Sequence, residues 1–199
     1  MSQKVIFATG NENKVREVRQ ILAGLDLDVR TMKEEGIASD PEETGETFEE
    51  NAMIKASAIA DVARDSIVLA DDSGLEIDYL GGEPGIYSAR YLGEDTPYEV
   101  KNAKLIERLD GVPKEQRTAR FVCAIACILP DGTSFTTRGT IEGYIGWEAA
   151  GTNGFGYDPI FYVEEYGCST AEMTAEQKNA ISHRGNALRA LRLELEKLC

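Results

Sequence analysis

RFVCAIACIL, residues 120–129, is apolar at every position after its arginine. A strand with one wet face alternates in polarity, so a run that is apolar on both alternating faces reads as a central strand covered on both sides. That reading asks for helices above and below a sheet, and the rest of the chain supplies them. Downstream, Pro130, Asp131 and Gly132 turn the chain into SFTTRGTIEGYI (134–145), which predicts an antiparallel hairpin. Upstream, Thr96, Pro97 and Glu99 read as the cap, first-turn proline and early acid of a helix. SIVLAD (66–71) reads as a buried strand that ends at Asp71 and Asp72, with a glycine-rich loop following through GGEPGIYSARY (81–91).

The N-terminal third continues the pattern. KVIFATG (4–10) is a short strand running into a turn, and in NKVREVRQILAGL (13–25) Val15, Val18, Leu22 and Leu25 mark one helical face. A second helix begins at Thr47, where Thr47 and Glu50 have capping-box spacing, and Phe48, Ala52, Ile59 and Ala63 make its apolar arc. Lys55 falls inside that arc, at about 100° per residue, and a lysine there needs a partner. The last helix starts at about Ser182, with Leu188, Leu191, Leu195 and Leu198 as its stripe. Strands and helices interleave with at least one hairpin, so the expected fold class is α/β with a mixed sheet. No repeat, low-complexity tract or linker divides the chain, and residues 1–199 read as a single domain.

Composition excludes several functions. The 199 residues are 42% hydrophobic and 28% charged, as in a soluble globular protein, and no apolar run approaches the ~20 residues of a membrane span. The N-terminus has no signal-peptide core, so the expected location is cytoplasmic. With 21 basic and 35 acidic residues the net charge is −14, and such a field repels nucleic acid polymers and anionic membranes. A small phosphate compound remains compatible if a divalent cation and a few local donors outweigh that background. Cys123, Cys127, Cys168 and Cys199 form no CxxC pair and have a single histidine for company, so they read as reduced thiols.

Five segments at predicted element ends carry residues suited to chemistry. ATGNENK (8–14) sets a glycine turn, two asparagines and a lysine at a helix start, which suits a phosphate or is an ordinary strand-to-helix turn. ADDSG (70–74) brings Asp71 and Asp72 out of a buried strand; neighbours on an extended chain diverge, so one faces a cleft as metal ligand or base while the other holds structure, unless both merely cap the turn. DPEETGE (40–46) adds carboxylates of the hard-oxygen kind that suits Mg2+, or is an acidic surface loop. GTNGFGYDPIF (151–161) lets backbone approach a flat ligand, with Phe155 or Tyr157 as a stacking face. ISHRG (181–185) places His183 and Arg184 in a first helical turn, where cations oppose the helix dipole unless an anion or a ligand carbonyl lies near.

Taken together, FATGNENKVREV, EETGETFEENAMIKA, ADDSGLEIDYLGGEPGIYSARY, GTNGFGYDPIF and AEMTAEQKNAISHRGNAL, in that order from residue 7 to residue 188, resemble the inosine/xanthosine triphosphate pyrophosphatase family. The resemblance implies an elongated α/β fold with a long mixed β-sheet and flanking helices, two lobes with the active cleft between them, and a homodimer. It implies Mg2+-dependent cleavage of deaminated purine nucleoside triphosphates (ITP, dITP, XTP) to monophosphate and pyrophosphate. By motif, Asp72 takes the catalytic position, and Glu42 with Asp72 the metal positions. Thr9, Gly10, Asn11, Glu12, Asn13, Lys14 and Lys55 face the phosphates. Ser73, Phe155, Gly156, Tyr157, Asp158, Lys178, His183 and Arg184 complete the nucleotide pocket. A nucleotide-sensing module without hydrolysis, and a related pyrophosphatase acting on modified pyrimidines or phosphosugars, are the alternative readings.

Overall fold

The computed structural model describes residues 2–198. Seven strands form one sheet in the order β2-β1-β3-β4-β5-β6-β7: β1 Gln3–Phe7, β2 Leu27–Thr31, β3 Ile67–Ile77, β4 Thr118–Ile128, β5 Ser134–Ile145, β6 Phe161–Val163 and β7 Cys168–Ser169. The helices are α1 Glu12–Ile21, α2 Phe48–Ala60, α3 Tyr98–Arg108, α4 Ala175–Ile181 and α5 His183–Leu198. Strand β1 pairs in parallel with β2 and with β3, Val5 lying opposite Val29 and Ile67. Parallel neighbours need crossovers, and α1 and α2 stand in those connections. The C-terminal strands β5, β6 and β7 are antiparallel, so the mixed sheet that the sequence predicts is present.

The chain divides into two compact units, residues 1–72, 123–139 and 183–199 in the first and residues 73–122 and 140–182 in the second. Each has its own apolar core. In unit 1, Val5, Phe7, Ile67, Leu69, Cys123, Ile125 and Cys127 from the strands pack with Val15 and Val18 of α1, Leu22 just after it, and Leu188, Leu191 and Leu195 of α5. Leu198, the last of the expected stripe, has a side chain outside the described residues, as does Cys199. In unit 2, Leu75, Ile77, Phe121, Ile141, Ile145 and Phe161 pack with Leu105 and Leu109 of the α3 region. Residues 121–127 of β4 are buried without a break, as the opening motif requires.

Glycine at position 139 seats α5. A β-carbon there would run into the backbone of His183 and Ala187, while Thr137 donates its hydroxyl to Ala187 O at 3.0 Å. Only a residue without a side chain lets β5 approach the helix start this closely.

Three local expectations change. Strand β3 does not stop at the aspartates but runs on to Ile77, because Leu75 and Ile77 are buried in a second apolar core and the polar pair is itself neutralised by Lys14 and Lys55. Helix α3 has Pro97, not Thr96, at its cap, because the Thr96 hydroxyl donates to Leu92 O at 2.7 Å. At α2, Thr47 caps the Glu50 N–H, but the Glu50 carboxylate turns to the Glu46 N–H at 2.7 Å, so only half of the capping box forms. Strands β2, β6 and β7 and helix α4 are additions. The α4 signal was legible in Thr174 and Gln177, which form a complete capping box.

Cys123, Cys127 and Cys168 form no disulfide among the described residues. Burial pushes the Cys127 thiol up to about 12, so it stays protonated and a poor nucleophile at pH 8. Ellman's reagent at pH 8 is expected to spare Cys123 and Cys127 in the folded protein and to label both in urea. Rapid labelling of either in the native state would contradict their burial in the core. Among the described residues no helix is long and apolar enough to cross a membrane.

Candidate active site

The turn after β1 opens unit 1's crevice. Ala8 N donates to Leu69 O at 2.7 Å, which ties the turn to β3. Thr9 Oγ1 accepts from Asn11 N at 3.2 Å and Asn11 Oδ1 from Lys14 N at 3.4 Å, so Asn11 caps α1 and Glu12 adds a carboxylate to its first turn. The Asn13 side chain lies outside the described residues. Thr9, Gly10, Lys14, Asp40, Glu43, Lys55 and Asp71 are among the residues that line the crevice.

Three carboxylates, Glu43, Asp71 and Asp72, pair with the two lysines of the crevice. Lys14 Nζ lies 2.9 Å from Asp71 Oδ2. Lys55 Nζ, the lysine inside the apolar arc, lies 2.9 Å from Glu43 Oε1 and 3.0 Å from Asp72 Oδ1. Asp72 Oδ2 is buried and has no hydrogen-bond partner among the described residues. Asp71 and Asp72 diverge as neighbours on a strand do: Asp71 lines the crevice beside Lys14, and Asp72 turns its Oδ1 to Lys55.

Their electrostatics diverge too. Burial would raise the Asp71 carboxyl, but Lys14, Arg184 and Lys55 hold it well below the usual carboxylate range. Burial raises Asp72 despite Lys55, with Glu43 and Asp71 adding to the rise. Lys55 is pressed down by burial yet ends above its ordinary value, because Asp72, Asp71 and Glu43 surround it.

Arg184 is buried at the start of α5, with Nη1 2.5 Å from Glu17 Oε2 and Nε 3.4 Å from Asp71 Oδ2. The anions that offset this cation at a helix N-terminus are therefore the protein's own carboxylates, and these two guanidinium donors are committed to them. His183 beside it is buried. Glu17 carried no signal beyond a place next to the Val15 and Val18 stripe. The acid set against Lys55 is Glu43; its neighbour Glu42 has an exposed side chain. Two adjacent glutamates in an irregular loop cannot be told apart by spacing.

A second cluster lies within unit 2, after β5. Asp158 is its hub: Oδ2 accepts from Phe155 N at 2.8 Å and from Lys178 Nζ at 2.7 Å, and Oδ1 from the Thr170 hydroxyl at 2.8 Å. Gly154, at φ +73, abuts that carboxylate so closely that a β-carbon would overlap Asp158 Oδ2. Tyr157 is not a free stacking face. Its hydroxyl donates to Ser88 O at 2.6 Å and its ring meets Tyr98 edge-on at 5.2 Å. Phe155, half-buried with Lys178 Nζ 5.0 Å from its ring centroid, is the aromatic with surface left to offer. Asn102 Nδ2 donates to Gly156 O at 3.1 Å and Lys101 Nζ to Ala89 O at 2.6 Å, so α3 pins both this loop and the one around Ser88. Ser73, the first residue of unit 2, is half-buried on β3.

A divalent cation fits the first cluster. Among the described residues no group of three histidine, cysteine or carboxylate side chains converges on a metal point, yet Mg2+ commonly takes only one or two protein carboxylates and completes its shell with phosphate and water. The partnerless Asp72 Oδ2 is an oxygen donor of the required hardness.

A mixed α/β fold with Lys14, Lys55, Glu43 and Asp71 lining one crevice, and Asp72 paired to Lys55, defines a protein equipped for a phosphorylated ligand. The chain belongs to the Ham1 family, whose model matches residues 5–194. It is similar to proteins named dITP/XTP pyrophosphatase from Bacillus licheniformis, 49% identical over 98% of this chain and 99% of that one, and from Bacillus subtilis, 49% identical over 98% of each. Among solved structures, the Staphylococcus aureus Ham1 protein is 42% identical with a TM-score of 0.90, covering 99% of this chain and 100% of that one.

Proposed function

We propose that this chain is a nucleoside-triphosphate pyrophosphatase that hydrolyses deaminated purine nucleotides, ITP, dITP and XTP, to monophosphate and pyrophosphate. The observation that carries the reading is Asp72: one carboxylate oxygen lies 3.0 Å from Lys55 Nζ and the other is buried and without a partner among the described residues. The names of the relatives and the order of the five motifs support the same activity.

The residues divide the work. A triphosphate concentrates negative charge, and Lys14 and Lys55 line the crevice to neutralise it. Asp72, with Glu42 by resemblance or Glu43 by its place beside Lys55, would hold Mg2+. When bound, that ion supplies positive charge to the phosphate oxygens and orients them. Asp72 accepts a proton from the attacking water; the water oxygen bonds to the α-phosphorus, the bond from that phosphorus to the bridging oxygen breaks, and pyrophosphate leaves with the electron pair. No side chain need form a covalent bond to the substrate. The resemblance assigns the Phe155–Asp158 stretch, Lys178, Ser73, His183 and Arg184 to nucleotide binding. Asp158 serves there by fixing Phe155 and Lys178, since its own oxygens are engaged. The resemblance also carries a homodimer, and the reading of the sequence adds a single domain over residues 1–199 and a cytoplasmic location.

Pyrophosphate release from ITP, XTP, GTP and ATP with Mg2+ tests the function. ITP and XTP are expected to exceed ATP in kcat/KM by about a hundredfold or more, because donors aimed at a 6-oxo group are left unpaired against a 6-amino group. Equal turnover of all four, or a preference for ATP, would replace this reading. Tight nucleotide binding without hydrolysis would favour the sensing module.

A further inference from the structure

Asn51 lies on α2 one turn before Lys55 and is fully buried. At about 100° per residue it lies about 60° from Phe48, on the side away from Ala52 and Ile59 and so at the margin of the apolar arc, yet it is buried like a core residue. Its amide is only half satisfied. Oδ1 accepts from Gly45 N at 2.8 Å, whereas Nδ2 is buried with no partner among the described residues. Buried polar groups are ordinarily paired throughout. An asparagine held here with a spare donor is explained by what its acceptor does.

That acceptor seats the acidic loop. Gly45 comes so near α2 that a β-carbon on it would stand 2.7 Å from Asn51 Oδ1, 2.7 Å from Glu50 Cβ and 2.9 Å from Asn51 N. The next residue, Glu46, gives its N–H to Glu50 Oε2 at 2.7 Å. Two residues before Gly45, Glu43 reaches Lys55 Nζ at 2.9 Å. Both members of this ion pair are thus referred to one helix, Lys55 by its own backbone and Glu43 through the bond from Gly45 to Asn51.

The geometry points to Asn51 as a positioning residue that sets the acidic loop against Lys55 and Asp72 and thereby sets the affinity for the divalent cation. This rests on the metal-assisted reading above. Removing a group that orients metal ligands changes affinity by about 10- to 100-fold. Asn51→Ala and Gly45→Ala are therefore expected to weaken Mn2+ binding to the free protein, read by electron paramagnetic resonance, by about tenfold or more. The Mg2+ concentration for half-maximal ITP hydrolysis should rise in step, while kcat at saturating Mg2+ falls less. Asn51→Asp retains the acceptor and is expected to recover most of the Mn2+ affinity. Hydrogen exchange at residues 43–46 should accelerate in Asn51→Ala. If that variant does not fold, Gly45→Ala reports on the same contact from the loop side. Unchanged Mn2+ affinity and Mg2+ requirement in the folded variants would overturn the assignment, and so would Asn51→Asp as impaired as Asn51→Ala. A wild-type chain that releases no pyrophosphate from ITP or XTP would overturn the functional reading instead, with Mn2+ binding and exchange still deciding the role of Asn51.

Discussion

Asp72→Asn is expected to lower kcat for ITP by about 10³-fold, the size of effect associated with loss of a general base, with nucleotide affinity kept within about tenfold because the phosphate-facing lysines remain. The substitution preserves shape and removes one charge. Lys55 keeps Glu43 at 2.9 Å, so the crevice retains its cation, and the strand keeps its pairing because the change is confined to the side chain. The loss should therefore appear in single-turnover rates and not in the circular dichroism spectrum. Glu43→Gln and Glu42→Gln measured alongside separate the two acids of the loop: the one that holds the cation will raise the Mg2+ requirement, and the other will leave it near the wild-type value. Turnover by Asp72→Asn at the wild-type rate would remove both of the roles proposed for this carboxylate.

The second large effect is on stability. Arg184→Met takes a buried guanidinium from between Glu17, 2.5 Å away, and Asp71, 3.4 Å away. Methionine fills much of the volume, so the cost comes from charge: Glu17 loses its ion pair with Arg184 and Asp71 keeps Lys14 at 2.9 Å. Breaking one side of a buried ion pair costs about 3 kcal/mol or more, which for a chain of this length corresponds to a fall in Tm of roughly 6–12 °C. Glu17→Gln should cost less, since it leaves Arg184 with Asp71. Combining the two changes in one chain should cost less than the sum of the separate losses, because the second substitution removes a partner that has already lost its counter-ion. Urea denaturation of the three variants provides the measurement. An Arg184→Met midpoint indistinguishable from wild type would mean that the network does not hold α5 to α1 and β3.

Part of the site can be read without coordinates, and Lys55 shows why. A charged residue inside an apolar helical arc has to find a counter-charge, and the structure supplies Asp72 and Glu43. Asn51 stands at the margin of that arc, where periodicity gives no sign of its burial, whereas the capping box of Thr174 and Gln177 is legible in their spacing. The opposite divergence of Asp71 and Asp72 follows from strand geometry alone. Other assignments had no local signal. Whether Glu42 or Glu43 turns inward depends on how Gly45 docks on α2. Tyr157 and Phe155 are equivalent aromatics in a glycine-rich loop until Ser88 O and Tyr98 claim the tyrosine.

Local chemistry in the chain determined the α/β class, the central place of residues 120–129, and the presence of buried acids and lysines that must pair. Those conclusions need only periodicity and the cost of burying charge, which act over a few residues. The continuation of β3 through Asp71 and Asp72, the choice of Glu43 beside Lys55, and the capture of Arg184 by Glu17 were decided by tertiary structure. The last joins groups 167 positions apart in sequence, and only the packed sheet and its helices bring such groups within hydrogen-bond reach.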